Sequence, residues 1–220
     1  IGVAVLMAIA FIAIVAFLGH VPRESKERHS IAAPFKALRY RGLLTVGMTS
    51  LFYNYGFFTL LAFTPLVLNM DAHTLGLIFF GWGVLVAISS VFIAPKLHAR
   101  FGAFPSLFVV LLAIAAILLI MALNVDSHTV LIVAVIVAGL FLGINNTLVT
   151  TAVMKVAPVE RSVASAAYSF VRFVGGGLAP WLAGILSEHF GSAVPFYVGM
   201  VGMLISVAVL FSGRKFLKHV

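Results

Sequence analysis

The chain has 220 residues, of which 63% are hydrophobic and 9% charged, and its net charge is +8. A soluble domain carries about a quarter charged residues, so this composition excludes an ordinary soluble fold and specifies an all-α membrane protein with several spans. The basic excess sits in short breaks between apolar runs, which excludes a nucleic-acid binder, and the lack of cysteine excludes disulfides, thiolate nucleophiles and cysteine-ligated metals.

Seven apolar segments follow in order, at about 1–18, 42–69, 75–94, 104–123, 129–153, 162–187 and 193–212. About 20 apolar residues cross the hydrocarbon core of a bilayer as a helix. Thirteen of the fourteen lysines and arginines lie in alternate breaks between these segments. The first break carries Arg23, Lys26, Arg28, Lys36, Arg39 and Arg41 against Glu24 and Glu27. The third holds Lys96 and Arg100, the fifth Lys155 and Arg161, and the tail Arg214, Lys215 and Lys218. The second, fourth and sixth breaks hold Asp71, Asp126 and Glu188 and no basic residue. Basic residues stay on the cytoplasmic side of membrane spans, so the first, third and fifth breaks and the C-terminus are expected to be cytoplasmic.

The first segment has neither the basic n-region nor the small-residue cleavage site of a signal peptide. It is expected to be the last part of a helix, with the rest of the protein upstream. Residues 19–41 then form a cytoplasmic linker. Its Lys36 to Arg41 stretch, with Phe35, Leu38 and Tyr40, is expected to lie amphipathically at the membrane surface. The second segment carries Tyr53-Asn54-Tyr55-Gly56-Phe57-Phe58 and then Thr64 and Pro65. Aromatics around an embedded amide suit a mixed apolar and polar binding pocket. In the third segment Trp82, between Gly81 and Gly83, is expected to serve packing.

Gly139 and Gly143 in the fifth segment have the four-residue spacing of close helix packing. Asn145, Asn146, Thr147, Thr150 and Thr151 follow, suited either to lining a cavity or to bonding between helices. The sixth segment holds the one basic residue inside a span, Arg172, with Tyr168 and Ser165 four and seven residues before it on the same helix face. An arginine within lipid is costly and marks a candidate functional site. It can bind an anionic substrate group or a partner carboxylate, or make a fixed hydrogen bond to backbone or a neighbouring helix. The run Gly175-Gly176-Gly177-Leu178-Ala179-Pro180, with Gly184 beyond it, reads as a tight, bent helix crossing, and Trp181 as an aromatic packing residue.

All six acids and all seven histidines lie in loops or at span ends. No nucleophile with a base and no grouped metal ligands can be built inside the spans, and no phosphate-binding glycine loop is present. An intramembrane enzyme is therefore disfavoured, and no cofactor or metal is expected.

These features resemble the C-terminal half of a major facilitator superfamily transporter over essentially the whole chain. Residues 95–102, Pro-Lys-Leu-His-Ala-Arg-Phe-Gly, are similar to the family's G-x-L-x-D-R-x-G-R-K loop, keeping Leu97, Arg100 and Gly102. Ala99 stands where that loop has its acid, so the family's gating salt bridge is not assigned here. Pro158-Val159-Glu160-Arg161 before Ala164-Ser165-Ala166 resembles the approach to the family's eleventh helix. The glycine run resembles its antiporter signature G-x-x-x-G-P-x-x-G-G, with Ala179 in place of one glycine, and Phe79-Phe80-Gly81-Trp82-Gly83 resembles its eighth helix in drug-efflux members.

The resemblance implies a six-helix bundle at 42–220, preceded by the end of the sixth helix at 1–18 and the linker at 19–41. It is nearest to the twelve-helix drug–proton antiporters, in a prokaryotic cell membrane. It implies export of lipophilic, often cationic compounds by alternating access, with lipid, a small-molecule substrate, protons and the missing N-terminal half as partners. A proton antiporter's titrating carboxylate would then lie in that other half. The cavity would be lined by Tyr53, Asn54, Phe57, Asn145, Asn146, Thr150, Tyr168 and Arg172. Gly175, Gly176, Gly177, Pro180 and Gly184 would form the gating bend. Two other readings stand beside it: a transporter of a small anionic or sugar-like metabolite held by Arg172, and a transport-inactive sensor or scaffold.

Overall fold

The structure is a computed structural model that describes residues 2–17, 32–156 and 158–217. The expectations for Arg23, Glu24, Lys26, Glu27, Arg28 and Lys218 lie outside the described residues. The chain forms two compact units divided between Ile31 and Ala32. In the first, α1 spans Gly2–Phe17.

The second unit opens with α2 (Ala33–Ala37) and contains six helices long and apolar enough to cross a membrane. These are α3 (Arg41–Leu68), the pair α4 (Ala72–Ile88) and α5 (Ala94–Phe101) joined by a π turn, α6 (Ala103–Leu123), α7 (His128–Val153), α8 (Arg161–Phe190) and α9 (Val194–Ser212). A final turn, α10, covers Arg214–Leu217. Among the described residues there is no strand. The last six apolar segments of the sequence correspond to the six crossings.

Local chemistry stops the helices where charge and small residues appear. After α3 the chain turns through Asn69 in the left-handed region, φ 45°, whose N–H donates to the Pro65 carbonyl. Asp71 then caps α4, accepting from the backbone N–H groups of His73 and Thr74. The Thr74 hydroxyl and these amides hold the Asp71 carboxyl below the ordinary aspartate value of 3.8. Ser127 caps α7 in the same manner, accepting from Val130 N–H at 3.5 Å. Between α5 and α6 a single residue, Gly102 with φ 80°, makes the turn. That backbone conformation favours glycine because it lacks Cβ.

One segment departs from the sequence reading. The third break is helix rather than loop, so Lys96 and Arg100 ride on α5. Pro95 has no N–H to give the Val91 carbonyl; the π segment Ser89–Ile93 just before it, with Ala94 N–H donating to Ser89, fits the proline into a continuous helix. The linker's aromatic end packs on the bundle, with the Phe35 ring edge-on to Phe170 of α8 at 5.1 Å.

Register fixes the relative directions of the crossings. Gly47 meets Val171 and Leu51 meets Gly175, so α3 and α8 run parallel. Gly56 meets Gly199 and Phe63 meets Phe196, so α3 and α9 run antiparallel, tied by a 2.7 Å bond from Ser206 Oγ to the Thr49 carbonyl. Trp82 meets Gly139 and Val86 meets Gly143, so α4 and α7 run parallel. Gly42 lies beside Val156 and Phe216, gathering the start of α3, the end of α7 and the C-terminal turn at one end.

Lipid is as apolar as leucine, so close packing at small residues supplies much of the association between such helices. A Cβ at Gly175 would collide with the Leu51 carbonyl, whereas one at Gly177 would meet nothing within 4 Å. Gly175→Ala should therefore cost about 1–3 kcal/mol through overpacking. Thermal unfolding in detergent should show a clear drop in Tm for Gly175→Ala and none for Gly177→Ala; equal drops would contradict this packing.

Candidate functional site

Arg172 lies on α8 eleven residues after Arg161, about 17 Å along the axis at 1.5 Å per residue. It is half-buried. One guanidinium nitrogen makes a long, 3.5 Å hydrogen bond to the Tyr168 hydroxyl one turn before. The guanidinium carbon sits 5.8 Å from the Tyr168 ring centroid and 5.3 Å from that of Phe173. Those ring faces attract the cation. Nε is buried with no hydrogen-bond partner among the described residues.

The Leu51–Gly175 approach brings α3 close enough to complete the arrangement. Tyr53 is buried within electrostatic range of Tyr168 and Arg172, and beside Asn145 of α7. Neither the Tyr53 hydroxyl nor Asn145 Oδ1 closes a hydrogen bond among the described residues. Asn145 lies close to Tyr53, but the pair does not adopt the geometry of a hydrogen bond. From Tyr53 an aromatic run leads away: Phe57 stacks at 6.1 Å, and Trp82 stacks on Phe57 at 6.3 Å with 15° between planes. Phe79 meets Trp82 edge-on at 6.4 Å. Four helices thus contribute to one wall with a cationic, hydrogen-bonding pole and an aromatic flank.

The expected cavity residues divide on this geometry. Tyr53, Phe57, Asn145, Tyr168 and Arg172 come together. Asn54 is buried and turns its amide back to the Ser50 carbonyl at 2.8 Å. Asn146 and Thr150 share a face of α7 turned about 100–140° from Asn145, half-buried and exposed respectively. Thr147 and Thr151 bond back to carbonyls of their own helix. Trp82 packs on Gly139 as expected, and its stacking on Phe57 adds it to the wall. Phe79 joins through Trp82. Only the ring contact between Phe57 of α3 and Trp82 of α4 reveals these two.

The glycine run is not uniform. Gly175 and Gly176 press on Leu51 and Phe58, while Gly177 and Gly184 face open space. Pro180 lies inside a continuous α8. In the loop motif, Leu97 is half-buried and its carbonyl accepts from Ser106 at 3.4 Å. Arg100 is exposed over the Phe101 ring at 5.2 Å, and Gly102 forms the turn.

The family model of the Major Facilitator Superfamily matches residues 1–180 and, overlapping them, 108–219. The chain belongs to this superfamily. A curated relative, multidrug efflux protein YfmO of Bacillus subtilis (strain 168), is 52% identical over 216 residues. That alignment takes in 98% of this chain and 54% of the relative, so the chain spans about half of the relative's length. A crystal structure of an auto-inhibited POT family peptide transporter superposes with a TM-score of 0.57 at 19% identity, covering 80% of this chain and 37% of that one. That likeness concerns the fold alone. The major facilitator fold of this chain accounts for the six crossings and makes it a multi-pass membrane protein of a transporter family rather than an enzyme.

A buried hydroxyl without a partner costs free energy that its removal recovers. Tyr53→Phe should leave ligand-free stability unchanged or raise it by up to about 1 kcal/mol, read as Tm in detergent. A marked loss would mean that the hydroxyl is bonded in the resting protein.

Proposed function

We propose that this chain forms the C-terminal half of a secondary transporter that exports lipophilic drugs by alternating access, coupled to protons. The observation that carries the reading is the wall running from Arg172 through Tyr53 and Phe57 to Trp82, built from several helices of one bundle. Stacked aromatic faces bind planar apolar compounds with little demand on their detailed shape, which suits a drug cargo. The 52% identity to a multidrug efflux protein supports the same cargo class.

The wall belongs to half of a cavity on this reading. α4 and α8 are the least buried crossings. They carry exposed apolar side chains, such as Leu77, Phe80 and Val84 on α4 and Phe173 and Trp181 on α8. The other half of the transporter would cover these faces and close the cavity. It would also supply the proton-titrating carboxylate, because the acids of this chain lie outside its spans. The clustering of Arg41, Lys155 and Arg214 with the end of the bundle at Gly42 supports a cytoplasmic location for that end and for the C-terminus.

Two experiments test this. In the full-length protein, proteoliposomes under an imposed proton gradient should export a lipophilic dye. Removing one aromatic stacking partner with Phe57→Ala or Trp82→Ala should lower that export about 3- to 10-fold. No export by the unaltered protein would refute the drug reading. Because this chain has no cysteine, single-site labelling of intact cells with an impermeant maleimide requires only the removal of cysteines elsewhere in the full-length protein. Asp126→Cys and Glu188→Cys should label from outside, and Lys96→Cys and Lys215→Cys should not. The reverse pattern would invert the topology.

A further inference from the structure

We infer that the wall selects planar aromatic compounds bearing an anionic oxygen group, with the anion on Arg172 and the ring system against Phe57 and Trp82. This rests on the transporter reading above and sharpens its cargo class, since family resemblance alone points to lipophilic cations.

The guanidinium is undersatisfied. It offers five N–H donors, and the structure gives it one long bond to Tyr168 while Nε is buried unpaired. Among the described residues, no carboxylate is placed to take the rest. On its own helix, Glu160 and Glu188 lie twelve and sixteen residues away, about 18 and 24 Å along the axis. The helices packed against α8, namely α2, α3, α7 and α9, contain no acid at all. Their charged groups, Lys36 and Arg41, are basic and sit at the bundle end.

The surroundings suit an acceptor. A carboxylate or sulfonate takes paired N–H bonds from a guanidinium, stronger than neutral ones and specific in geometry. The Tyr53 hydroxyl, buried and unpaired nearby, can donate a further bond to the same oxygen group. A cationic ligand held on the aromatic flank would instead face the Arg172 charge in a site that screens it poorly. Tyr53 links the two parts, because its hydroxyl belongs to the polar pole and its ring stacks on Phe57 at 6.1 Å. A fused ring with an acidic substituent matches that arrangement: the ring continues the stack and the acid reaches the pole.

The test uses full-length protein in detergent and three probes of one shape: 2-naphthoate, 2-naphthamide and 2-naphthylmethylammonium. Binding is read by calorimetry. Naphthoate should bind about 10- to 100-fold tighter than the ammonium probe, the span of a charge-assisted bond. Arg172→Gln should weaken naphthoate at least about tenfold more than it weakens naphthamide. Arg172→Lys, which keeps the charge but not the planar fork, should restore only part of the difference and gives the reading if the glutamine variant does not fold. Equal or tighter binding of the ammonium probe, or naphthoate affinity indifferent to Arg172, overturns the inference. If the ammonium or amide probe binds in a Phe57-dependent manner and naphthoate does not, the charge preference fails while the drug-export reading stands. If no probe binds and no dye is exported, both fail.

Discussion

The close crossing of α3 and α8 at Leu51 and Gly175 governs the site. A side chain at position 175 would hold the two helices apart, since even a Cβ would strike the Leu51 carbonyl. With glycine there, Tyr53 of α3 comes within range of Tyr168 and Arg172 of α8, and the polar pole forms. A second crossing, with Trp82 seated on Gly139, positions the indole that extends the aromatic flank. Small residues thus set backbone separation, and backbone separation decides which polar groups meet.

Those polar groups are left incompletely bonded in a setting where unsatisfied groups are costly. Much of the embedded polarity elsewhere resolves locally: Asn54, Thr64, Thr147 and Thr151 each return a bond to a carbonyl one turn earlier. Arg172 Nε, the Tyr53 hydroxyl and Asn145 Oδ1 do not, and neither do Asn54 Oδ1, Trp82 Nε1 and the hydroxyls of Thr49, Ser50 and Tyr55 among the described residues. What distinguishes the first three is that they gather around one embedded cation, the arrangement on which the proposed ligand site rests. By comparison, the groove of about 280 Å³ between α3, α8 and α9, edged by Leu178 and Ile205, is apolar and suited to lipid chains.

Much of the fold was legible in the sequence, because a bilayer imposes a length on each apolar run and breaks it at charges. The α4–α5 pair was misjudged at its end for a physical reason. Pro95 and Lys96 look like a loop, yet the π turn at Ser89–Ile93 fits the proline into a continuing helix. In the site, the Tyr168–Arg172 pair was legible because four residues make one helical turn. Which of Asn145 and Asn146 faces Tyr53 was not, since adjacent residues differ only in which side of α7 is packed. Gly175 and Gly177 are likewise identical in sequence and differ only in what lies opposite. Trp82 stacking on Phe57 joins residues twenty-five apart on different helices, a relation that no local pattern encodes.

The central claim is that cargo rests on the wall between Arg172 and Trp82. Photo-crosslinking measures this most directly, using an azido-substituted aromatic acid on full-length protein and mapping the adducts by mass spectrometry. Adducts at Tyr53, Phe57, Trp82 and Tyr168, displaced by excess unlabelled acid, are the expected result. Displaceable adducts confined to the lipid-facing groove, at residues such as Leu178 and Ile205, would contradict it.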